Sequence, residues 1–594
     1  MVKDINPVTR EIIASRIDYV TQEMGLNMVR TAYSVLFAED RDFSCAIFDH
    51  EGNSLGLAQF VPQHQGSMQF SMEYVIEKWG LHGIEDGDII MHNDALHKGP
   101  HPPDITLSKP IFYKDSLVAF AVVVAHHNDT GGMRPSSYCP DATEIYQEGI
   151  RFPAVKLFKK GELQQDILDT YLTNVRGAES ERGDLWAQLS TLPLAEKAVK
   201  ELCATYGGAE RFRAYSKAIQ DHSEARMRAA IKEKLKEGTY EAEDYEDHDG
   251  LEARSWKIKV KLTVKHSPQP TLMFDFTGTD PQAKGFVNDY IAETKGEVWA
   301  SVYVMTDPYI HKCRGCMRSI EITAPEGTIV NAKPPAPMGA STTETGAVVG
   351  DVCLQALGKA NPEAATGMWG GTYGCFFAWG KNPRHDKSPR VAEDWLSLVS
   401  DNGAMGGGAR ATKDGMGCVT TLPKGGPITI PNVEIIEMNF PLLYKYRKLV
   451  VDGGGPGEFR GSPAYETLIQ PEGHIEFTAL SNKGYHGAAG VFGGKPGSLW
   501  KLEIRDANTD KIIEELPPKV VMQPCEPTEG VYMAMPGGGG YGNPLERDVE
   551  KVREDVIEGY VSIKGAKEDY GVVIDPETFE IDRNATQKLR EKSC

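Results

Sequence analysis

Two runs rich in β-branched and aromatic residues, 105–113 and 117–125, lie on either side of the polar tripeptide Lys114-Asp115-Ser116. Runs of this composition around a short polar turn predict a β-hairpin. Pro110 cannot donate a backbone hydrogen bond, so it favours an edge position for the first strand. The candidate chemistry of the chain depends on this hairpin.

Helical spacing of apolar residues occurs at two other places. Asn6 and Pro7 predict a helix start as N-cap and first-turn residues, and apolar residues then recur at helical spacing as far as Met28. Residues 184–236 also have a helical composition, interrupted near Gly207-Gly208. We expect the first helix to serve the core or an interface and assign no chemistry to it.

Beyond residue 240 the pattern predicts short strands, as in residues 257–264 and 271–276. The acidic stretch Glu241–Asp249 before them is interpreted as a solvated face. From about residue 330 glycine becomes frequent, and its clusters are interpreted as turns. These clusters are Gly406–Gly408, Gly453–Gly455 and Gly537–Gly540. Residues 549–558 return to a helical pattern.

Together these patterns predict an α+β protein of several domains with mixed and antiparallel sheets. We expect an N-terminal α/β region over 1–236 with a candidate metal site, and a β-rich region over 237–350. A glycine-rich α/β region over 351–548 and a helical tail over 549–594 would follow. A chain of 594 residues is too long for one simple core.

Charge and composition exclude several classes of partner. The 64 Lys and Arg are outnumbered by 84 Asp and Glu, and no basic stripe offsets the formal charge of −20, which disfavours nucleic acid and anionic lipid. The apolar run Leu117–Ala125 is too short to cross a bilayer as a helix, and no secretory signal is recognisable. The scattered cysteines, including the pair Cys313 and Cys316 near His311, are expected to be reduced thiols. We therefore expect a cytoplasmic protein without membrane or nucleic-acid partners.

A cluster of histidines and aspartates lies at the open end of the predicted hairpin. Residues 104 and 126 are each eleven residues from Asp115, so Asp104 would face His126 with Cβ atoms about 5 Å apart. His101 lies one short turn upstream. Two imidazoles and one carboxylate suit Zn²⁺, Mn²⁺ or Fe²⁺ and leave coordination positions open for catalysis. The spacing thus predicts a metal site at His101, Asp104 and His126, with plain surface turns as the alternative interpretation.

Three neighbouring residues are candidates for acid–base catalysis or for orienting the ligands. His127 and Asp129 follow His126, and Asp94 precedes the cluster. Each could act as a base or hold a ligand imidazole through its second nitrogen. Polar residues of this kind also occur as ordinary turn residues.

The chain lacks a recognisable nucleotide-binding motif. Residues 489–496 look at first like a phosphate loop, but Ala489 replaces its first glycine and Pro496 replaces its Mg²⁺-binding Ser or Thr. If ATP is used, the sequence predicts that another polypeptide binds it.

Several segments together resemble the hydantoinase B/oxoprolinase family. Besides the metal cluster they are Glu39–Cys45, Gln147–Pro153, Asn174–Arg176 with Gly183-Asp184, Asp275–Thr279, Asp452–Gly461 and Met535–Arg547. The resemblance implies a subunit that works with a hydantoinase A-type partner, which carries ATP and Mg²⁺ in an actin-like site. It also implies a dimer of heterodimers or a larger assembly. In related carboxylases a metal is held by His-x-x-Asp and a later His, a pattern that matches His101, Asp104 and His126.

The resemblance implies two reactions. Family members open cyclic amides such as hydantoins, oxoproline and lactams with ATP, and relatives carboxylate ketones as acetone and acetophenone carboxylases do. We favour the hydrolase. Two departures from the hydrolase pattern keep the carboxylase open: Gly99-Pro-His-Pro-Pro-Asp104 in place of Gly-Thr-His-Leu-Pro-Asp, and Cys418–Pro423 in place of a segment that begins His-Met-Thr-Asn. In a third interpretation the metal only fixes the hairpin.

Three residues in the family segments are expected to contact substrate or bicarbonate: Arg41, Glu148 and Arg151. An arginine fork suits carboxylate-like groups, although Arg41-Asp42 equally fits a buried ion pair. The residues do not reveal which cyclic amide or ketone is bound.

Overall fold

The structure, a computed structural model, describes residues 5–58, 60–371, 375–385, 392–399, 405–417, 422 and 430–593. The helices are α1 (Pro7–Thr31), α2 (His64–Trp79), α3 (Gln165–Thr173), α4 (Ala178–Thr205), α5 (Ala209–Lys234), α6 (Ile291–Met305), α7 (Arg314–Met317), α8 (Thr345–Ala360), α9 (Val433–Asn439), α10 (Val549–Ile557), α11 (Ile563–Tyr570) and α12 (Arg583–Ser593).

The strands are β1 (Phe43–Asp49), β2 (Ser54–Ala58), β3 (Ile89–His92), β4 (Asp104–Tyr113), β5 (Ser116–His126), β6 (Val155–Lys159), β7 (Glu162–Leu163), β8 (Gly238–Asp247), β9 (Ser255–Lys265), β10 (Thr271–Asp275), β11 (Ile320–Thr323), β12 (Cys375–Lys381), β13 (Asp394–Val399), β14 (Leu442–Leu449), β15 (Tyr465–Pro471), β16 (Ile475–Leu480), β17 (Lys501–Asp506), β18 (Ile512–Leu516), β19 (Lys519–Cys525) and β20 (Glu529–Ala534). The chain is therefore α+β, as predicted.

The chain folds into two compact units. The first contains the described parts of residues 1–241 and 258–350, and the second contains those of 242–257, 351–422 and 429–594. A change of unit falls after residue 350, where a boundary is predicted. Residues 549–594, which the sequence separates as a tail, belong to the second unit.

The N-terminal helix α1 follows from its cap and its apolar stripe. The Asn6 side chain accepts hydrogen bonds from the backbone N–H groups of Val8 and Thr9, and Pro7 occupies the first turn. Ile12 lies outside the stripe and is exposed. The buried apolar positions are Ile13, Ile17, Val20, Met24 and Met28.

A seven-stranded antiparallel sheet dominates the first unit, with strand order β2-β1-β5-β4-β3-β6-β7. Phe120, Val122 and Val124 of β5 pack against Met68 and Met72 of α2, and α4 packs against β4 and β5. Alternate side chains of β5 are therefore buried on both faces, which explains its unbroken apolar run.

The expected edge position of the first hairpin strand is wrong where β4 lies between β5 and β3. However, β3 pairs only with residues 106–108 of β4. Pro110 lies beyond that pairing, so its missing N–H removes no hydrogen bond to β3.

The helical region predicted over 184–236 forms α4 and α5. The break falls at Gly207 and Gly208, both of which have positive φ. In the described part of the chain, no helix is long and apolar enough to cross a membrane.

A four-stranded mixed sheet has the order β11-β10-β9-β8, with β10 and β11 parallel. The acidic stretch Glu241–Asp249, which ends β8, is not the solvated face that the sequence predicts. Asp244 and Glu246 are buried, with Lys483 Nζ 3.2 Å from Asp244 Oδ2 and Lys519 Nζ 2.9 Å from Glu246 Oε1. Buried carboxylates require such partners, and both lysines lie more than two hundred residues away in sequence.

The second unit holds two antiparallel sheets with strand orders β13-β12-β16-β19 and β14-β15-β20-β17-β18. Beside them the glycine clusters pack closely against other backbone segments. Their interpretation as turns holds at Gly453, whose amide donates to the Val450 carbonyl, and is wrong for Gly537–Gly540. The backbone N–H groups of Gly537–Gly540, taken in chain order, donate to the backbone carbonyls of Ser498, Ser462, Met368 and Lys495. A Cβ at any of these four glycines would lie under 3.0 Å from a neighbouring backbone atom. Glycine is required here for close approach rather than for positive φ.

Candidate metal centre

Strands β4 and β5 place Asp104 directly opposite His126, in the predicted register. The turn itself has two residues, Lys114 and Asp115, rather than the predicted three. A bulge between Ile111 and Phe112 compensates for the shorter turn and restores the register.

The side chains of His101, Asp104 and His126 converge at the open end of this hairpin. His101 Nε2 and His126 Nδ1 each lie 2.9 Å from Asp104 Oδ1. One potential ligand atom from each residue lies within 4.8 Å of the others, and the three residues are at most 4% exposed. Two imidazole nitrogens and a carboxylate oxygen in this arrangement can hold a divalent transition-metal ion.

A hydrogen bond to Gly339 fixes the orientation of the His101 ring. Its Nδ1 lies 2.7 Å from the carbonyl oxygen of Gly339, and a carbonyl can only accept, so Nδ1 carries the proton. Nε2 is thereby directed to the cluster. Glu148 in turn accepts hydrogen bonds of 2.7 Å from the backbone N–H groups of Met338 and Gly339. Glu148 therefore supports His101 through the Gly339 backbone, an outer-shell arrangement typical of metal sites.

The three residues are electrostatically coupled. Burial by itself would lower the pKa of His101, but the Asp104 carboxylate and the Gly339 carbonyl outweigh it and raise that pKa to about 9. Burial opposes ionisation of Asp104, yet His101, His126 and His64 hold its pKa well below the usual range. Burial raises the pKa of Glu148 to about 8, against the two amide donors.

His64 is a fourth member of the cluster that the sequence analysis did not identify. It begins helix α2, is 2% exposed, and its Nε2 lies 3.3 Å from Asp104 Oδ2. Its Nδ1 is buried without a hydrogen-bond partner among the described residues. Burial opposes protonation of His64, but the Asp104 carboxylate raises its pKa. No local motif marks this histidine, because its contact with the hairpin depends on how α2 packs on the sheet.

His127 points away from the cluster into a buried polar network. Its Nδ1 lies 2.9 Å from Glu181 Oε2 and 3.1 Å from the Tyr171 hydroxyl, and its Nε2 lies 2.9 Å from Gln188 Oε1. Burial opposes protonation, but Glu181 raises the pKa of His127, and burial raises the pKa of Glu181 to about 7. Both ring nitrogens are thus engaged, and the network ties the end of β5 to helix α4.

Asp129 organises the loop that follows the hairpin. Its Oδ1 accepts hydrogen bonds from the backbone N–H groups of Gly131 and Arg176, and its Oδ2 accepts from the Ser136 N–H and the Arg176 guanidinium. Burial raises the pKa of Asp129, and Arg176 opposes this rise. Four donors therefore occupy this carboxylate.

Asp94 and the expected substrate contact Arg151 bind each other. The Arg151 guanidinium donates to Asp94 Oδ1 at 2.8 Å, and Asp94 Oδ2 lies 2.8 Å from His97 Nδ1. The Arg151 guanidinium also lies over the Tyr146 ring, 5.0 Å from its centroid. The structure thus brings together His101, Asp104, His126 and Glu148, whereas Asp94 and Arg151 form a separate pair.

Arg41 lies where strand β1 begins, next to the hairpin. It has a left-handed backbone with φ of 63°, which is strained for a non-glycine residue and characteristic of functional sites. The neighbouring Asp42 carbonyl accepts a hydrogen bond from the His126 amide. Arg41 Nε is buried without a hydrogen-bond partner among the described residues.

The chain is similar along its whole length to a caprolactamase subunit and to a putative hydantoinase subunit. It is 32% identical to the caprolactamase beta subunit of Pseudomonas jessenii over 99% of both chains. It is 30% identical to the B-type subunit of a putative D-/L-hydantoinase of Pseudomonas sp. (strain NS671), over 99% of this chain and 98% of that one.

Two solved structures share the fold. The crystal structure of ATP-dependent caprolactamase from Pseudomonas jessenii superposes with a TM-score of 0.90 at 30% identity, covering 99% of this chain and 100% of that chain. A nucleotide-free acetone carboxylase superposes with a TM-score of 0.88 at 20% identity, covering 99% and 83%. Residues 6–544 match the family described as Hydantoinase B/oxoprolinase. The chain belongs to the hydantoinase B/oxoprolinase family.

Proposed function

We propose that this chain is the metal-binding subunit of an ATP-dependent cyclic-amide hydrolase that acts on hydantoins, oxoproline or lactams. The observation that carries the proposal is the buried cluster of His101, Asp104 and His126 in a chain that matches a caprolactamase component over its whole length. Full-length similarity at 32% identity favours a related reaction, although the ring that is opened remains to be assigned.

His101, Asp104 and His126 would hold one Zn²⁺, Mn²⁺ or Fe²⁺ ion. The donor set fits, because His101 already directs Nε2 to the cluster while its Nδ1 donates to Gly339. His64 supports the far oxygen of Asp104, and Glu148 holds Gly339. Bound there, such an ion supplies Lewis-acid chemistry that activates water for attack on a carbonyl-derived carbon.

ATP and Mg²⁺ are assigned to a partner subunit of the hydantoinase A type. Two relatives are named as subunits, which supports the existence of a partner. Residues 489–496 do not form a complete phosphate-loop motif, which supports ATP binding by that partner. An unstrained amide is a poor electrophile, so transfer of the ATP γ-phosphoryl group to its oxygen, with loss of the amide N–H proton, would yield an O-phosphorylated imidate, ADP and a proton. This chain would then receive the activated ring. In this proposal, the two kinds of subunit assemble as a dimer of heterodimers or as a larger complex.

Among the residues of this chain, Arg41 is assigned to bind the substrate. The Nε of its guanidinium has no hydrogen-bond partner among the described residues. The next residue in sequence, Asp42, accepts a hydrogen bond through its carbonyl from the backbone N–H of the candidate ligand His126. His127 and Asp129 are assigned to position the hairpin and its following loop, since hydrogen bonds already engage both groups. Arg151 and Asp94 support each other beside the site.

The second candidate is an ATP-dependent ketone carboxylase of the acetone or acetophenone type. The observation in its favour is Gly99-Pro-His-Pro-Pro-Asp104, which departs from the hydrolase pattern next to the ligands. The other departure, Cys418–Pro423, lies outside the described residues apart from residue 422. The acetone carboxylase fold does not discriminate, because a common fold supports different reactions.

The two candidates differ in their need for bicarbonate. The test is co-purification with the native partner and measurement of ATP turnover on lactams, hydantoins and aryl ketones, each with and without bicarbonate. Ring opening that requires ATP but not bicarbonate would support the hydrolase. Turnover that requires both a ketone and bicarbonate would contradict it and favour the carboxylase.

A further inference from the structure

A pocket of about 260 Å³ lies in the first unit, between helices α2, α6 and α7 and strand β11. It contains no residue of the candidate metal centre. Its wall combines two aromatic rings with three cations and one carboxylate: Phe70, Trp299, Lys295, Arg314, Arg318 and Glu73.

Lys295 is the cation in this pocket that makes no close ion pair within the described part of the chain. Arg318 lies 3.0 Å from Asp221 and 3.2 Å from Glu224, and Arg314 lies 3.5 Å from Glu73. In contrast, no hydrogen bond or ion pair joins the Lys295 ammonium to another residue in the described ranges. Its Nζ lies over the Phe70 ring, 5.1 Å from the centroid. Burial lowers the pKa of Lys295, although Glu73 opposes this effect.

Two parallel aromatic rings form one side of the pocket. The rings of Phe70 and Trp299 are nearly parallel, with an interplanar angle of 5° and centroids 6.3 Å apart. Trp299 is 3% exposed, and its indole N–H is buried without a hydrogen-bond partner among the described residues. Parallel ring faces of this kind favour contact with another flat apolar group.

We propose that this pocket binds a small organic monoanion, with its carboxylate at Lys295 and a flat apolar body against Phe70 and Trp299. The one ammonium group without a close ion pair among the described residues suits a ligand that carries one negative charge. The volume lies below the range of about 300–1,000 Å³ usual for drug-sized ligands, so the ligand is of the size of an aromatic carboxylate rather than a nucleotide. This site goes beyond the proposed hydrolase function, since it needs neither the metal nor ATP.

The test is calorimetric titration of the full chain, in complex with its native partner, with benzoate, benzamide and acetate. Benzamide keeps the ring of benzoate without its charge, and acetate keeps the charge without the ring. Benzoate should bind at least about tenfold more tightly than either, because it alone combines a charge-assisted hydrogen bond to Lys295 with the ring contact. Equal binding of benzoate and benzamide, or no benzoate binding at millimolar concentration, would overturn the proposal.

Substitutions test whether benzoate binds at Lys295. Lys295→Met should weaken benzoate binding about tenfold or more, whereas Lys295→Arg should retain it if folding is intact. Lys232→Met, at an exposed lysine on α5, is the matched control and should have no effect. Binding should also persist in His126→Ala, which separates this pocket from the metal centre. Benzoate affinity that is unchanged in Lys295→Met but lost in His126→Ala would assign the ligand to the metal centre and overturn the proposal.

Discussion

At the scale of single residues, the candidate ligands are held by side chains that do not reach the cluster themselves. Glu148 binds the amides of Met338 and Gly339, and the Gly339 carbonyl accepts the proton of His101 Nδ1. This chain of contacts supports our proposal that Glu148 positions His101, and the substrate contact that the family resemblance implies for Glu148 stays a prediction. A substitution of Glu148 can therefore distinguish a positioning role from direct binding of the metal ion.

Glu148→Gln should weaken metal binding without abolishing it. A glutamine can accept from one amide through its oxygen but presents its own NH₂ group to the other, so Gly339 and the His101 ring lose their fixed position. Loss of outer-shell partners lowers metal affinity by about 10–100-fold. The measurement is competition for the metal with a chelator, with Glu162→Gln, at an exposed glutamate, as control. Unchanged affinity in Glu148→Gln would contradict the positioning role.

The sequence predicts the three ligands because they flank one hairpin, where local spacing determines distance. Asp104 and His126 are paired by the strand register, and His101 is three residues from Asp104. His64 and Gly339 could not be predicted in this way. They reach the site from a helix and a distant loop, and only tertiary packing brings them to Asp104 and His101.

At the scale of elements, the glycine clusters show why local composition is insufficient. Glycine is frequent both in turns and where backbones approach closely, and the sequence does not distinguish the two uses. The four amides of Gly537–Gly540 donate to carbonyls in three separate segments, near residues 368, 462 and 495–498. Their arrangement depends on those segments, just as the buried acids of β8 depend on Lys483 and Lys519. The helices and the hairpin depend on local periodicity and are therefore predicted more accurately.

Gly539→Ala should destabilise the second unit. The added Cβ would lie under 3.0 Å from the Ala489 carbonyl oxygen, and displacing a packed backbone costs about 1–3 kcal/mol. The measurement is the melting temperature by calorimetry. Gly83→Ala is the control, because the nearest atom to its added Cβ, in Trp79, is 3.9 Å away. Equal melting temperatures for both variants and the parent chain would argue against close backbone packing.

His311 joins helix α1 to strand β2 and should make stability depend on pH. Its Nδ1 lies 2.9 Å from Asp18 Oδ2, and its Nε2 donates to the Leu55 carbonyl at 2.6 Å. Burial opposes protonation, but Asp18 and the carbonyl raise the pKa of His311 from 6.5 to about 9. A raised histidine pKa stabilises the fold fully below pH 6.5, and this contribution is lost as pH rises through 9.

The expected loss is about 1–2 kcal/mol, since the partly exposed Asp18 is screened by solvent. Melting temperatures of the parent chain and of His311→Gln, measured from pH 6 to about 9.5, isolate the contribution. The difference between the two proteins should shrink as pH rises. A constant difference over this range would mean that His311 does not titrate as described.

At the scale of the whole molecule, we propose that the chain is one subunit of a larger enzyme. Its full-length match to a caprolactamase beta subunit and to the B-type subunit of a putative hydantoinase agrees with the absence of an intact nucleotide motif from its sequence. The sequence identifies the family because motifs from Glu39 to Arg547 occur in order along the chain. It does not identify the substrate, because substrate selection depends on neighbours from distant segments and, in the proposed assembly, from a partner.

The central claim is that His101, Asp104 and His126 bind a catalytic metal ion, and metal analysis of the purified complex tests it most directly. The parent chain and Asp115→Asn, a control at the exposed tip of the same hairpin, should each carry about one divalent transition-metal ion. Asp104→Asn and His126→Ala should lose the ion and the turnover while keeping the assembly intact. A parent chain without metal, or variants that retain it, would contradict the account.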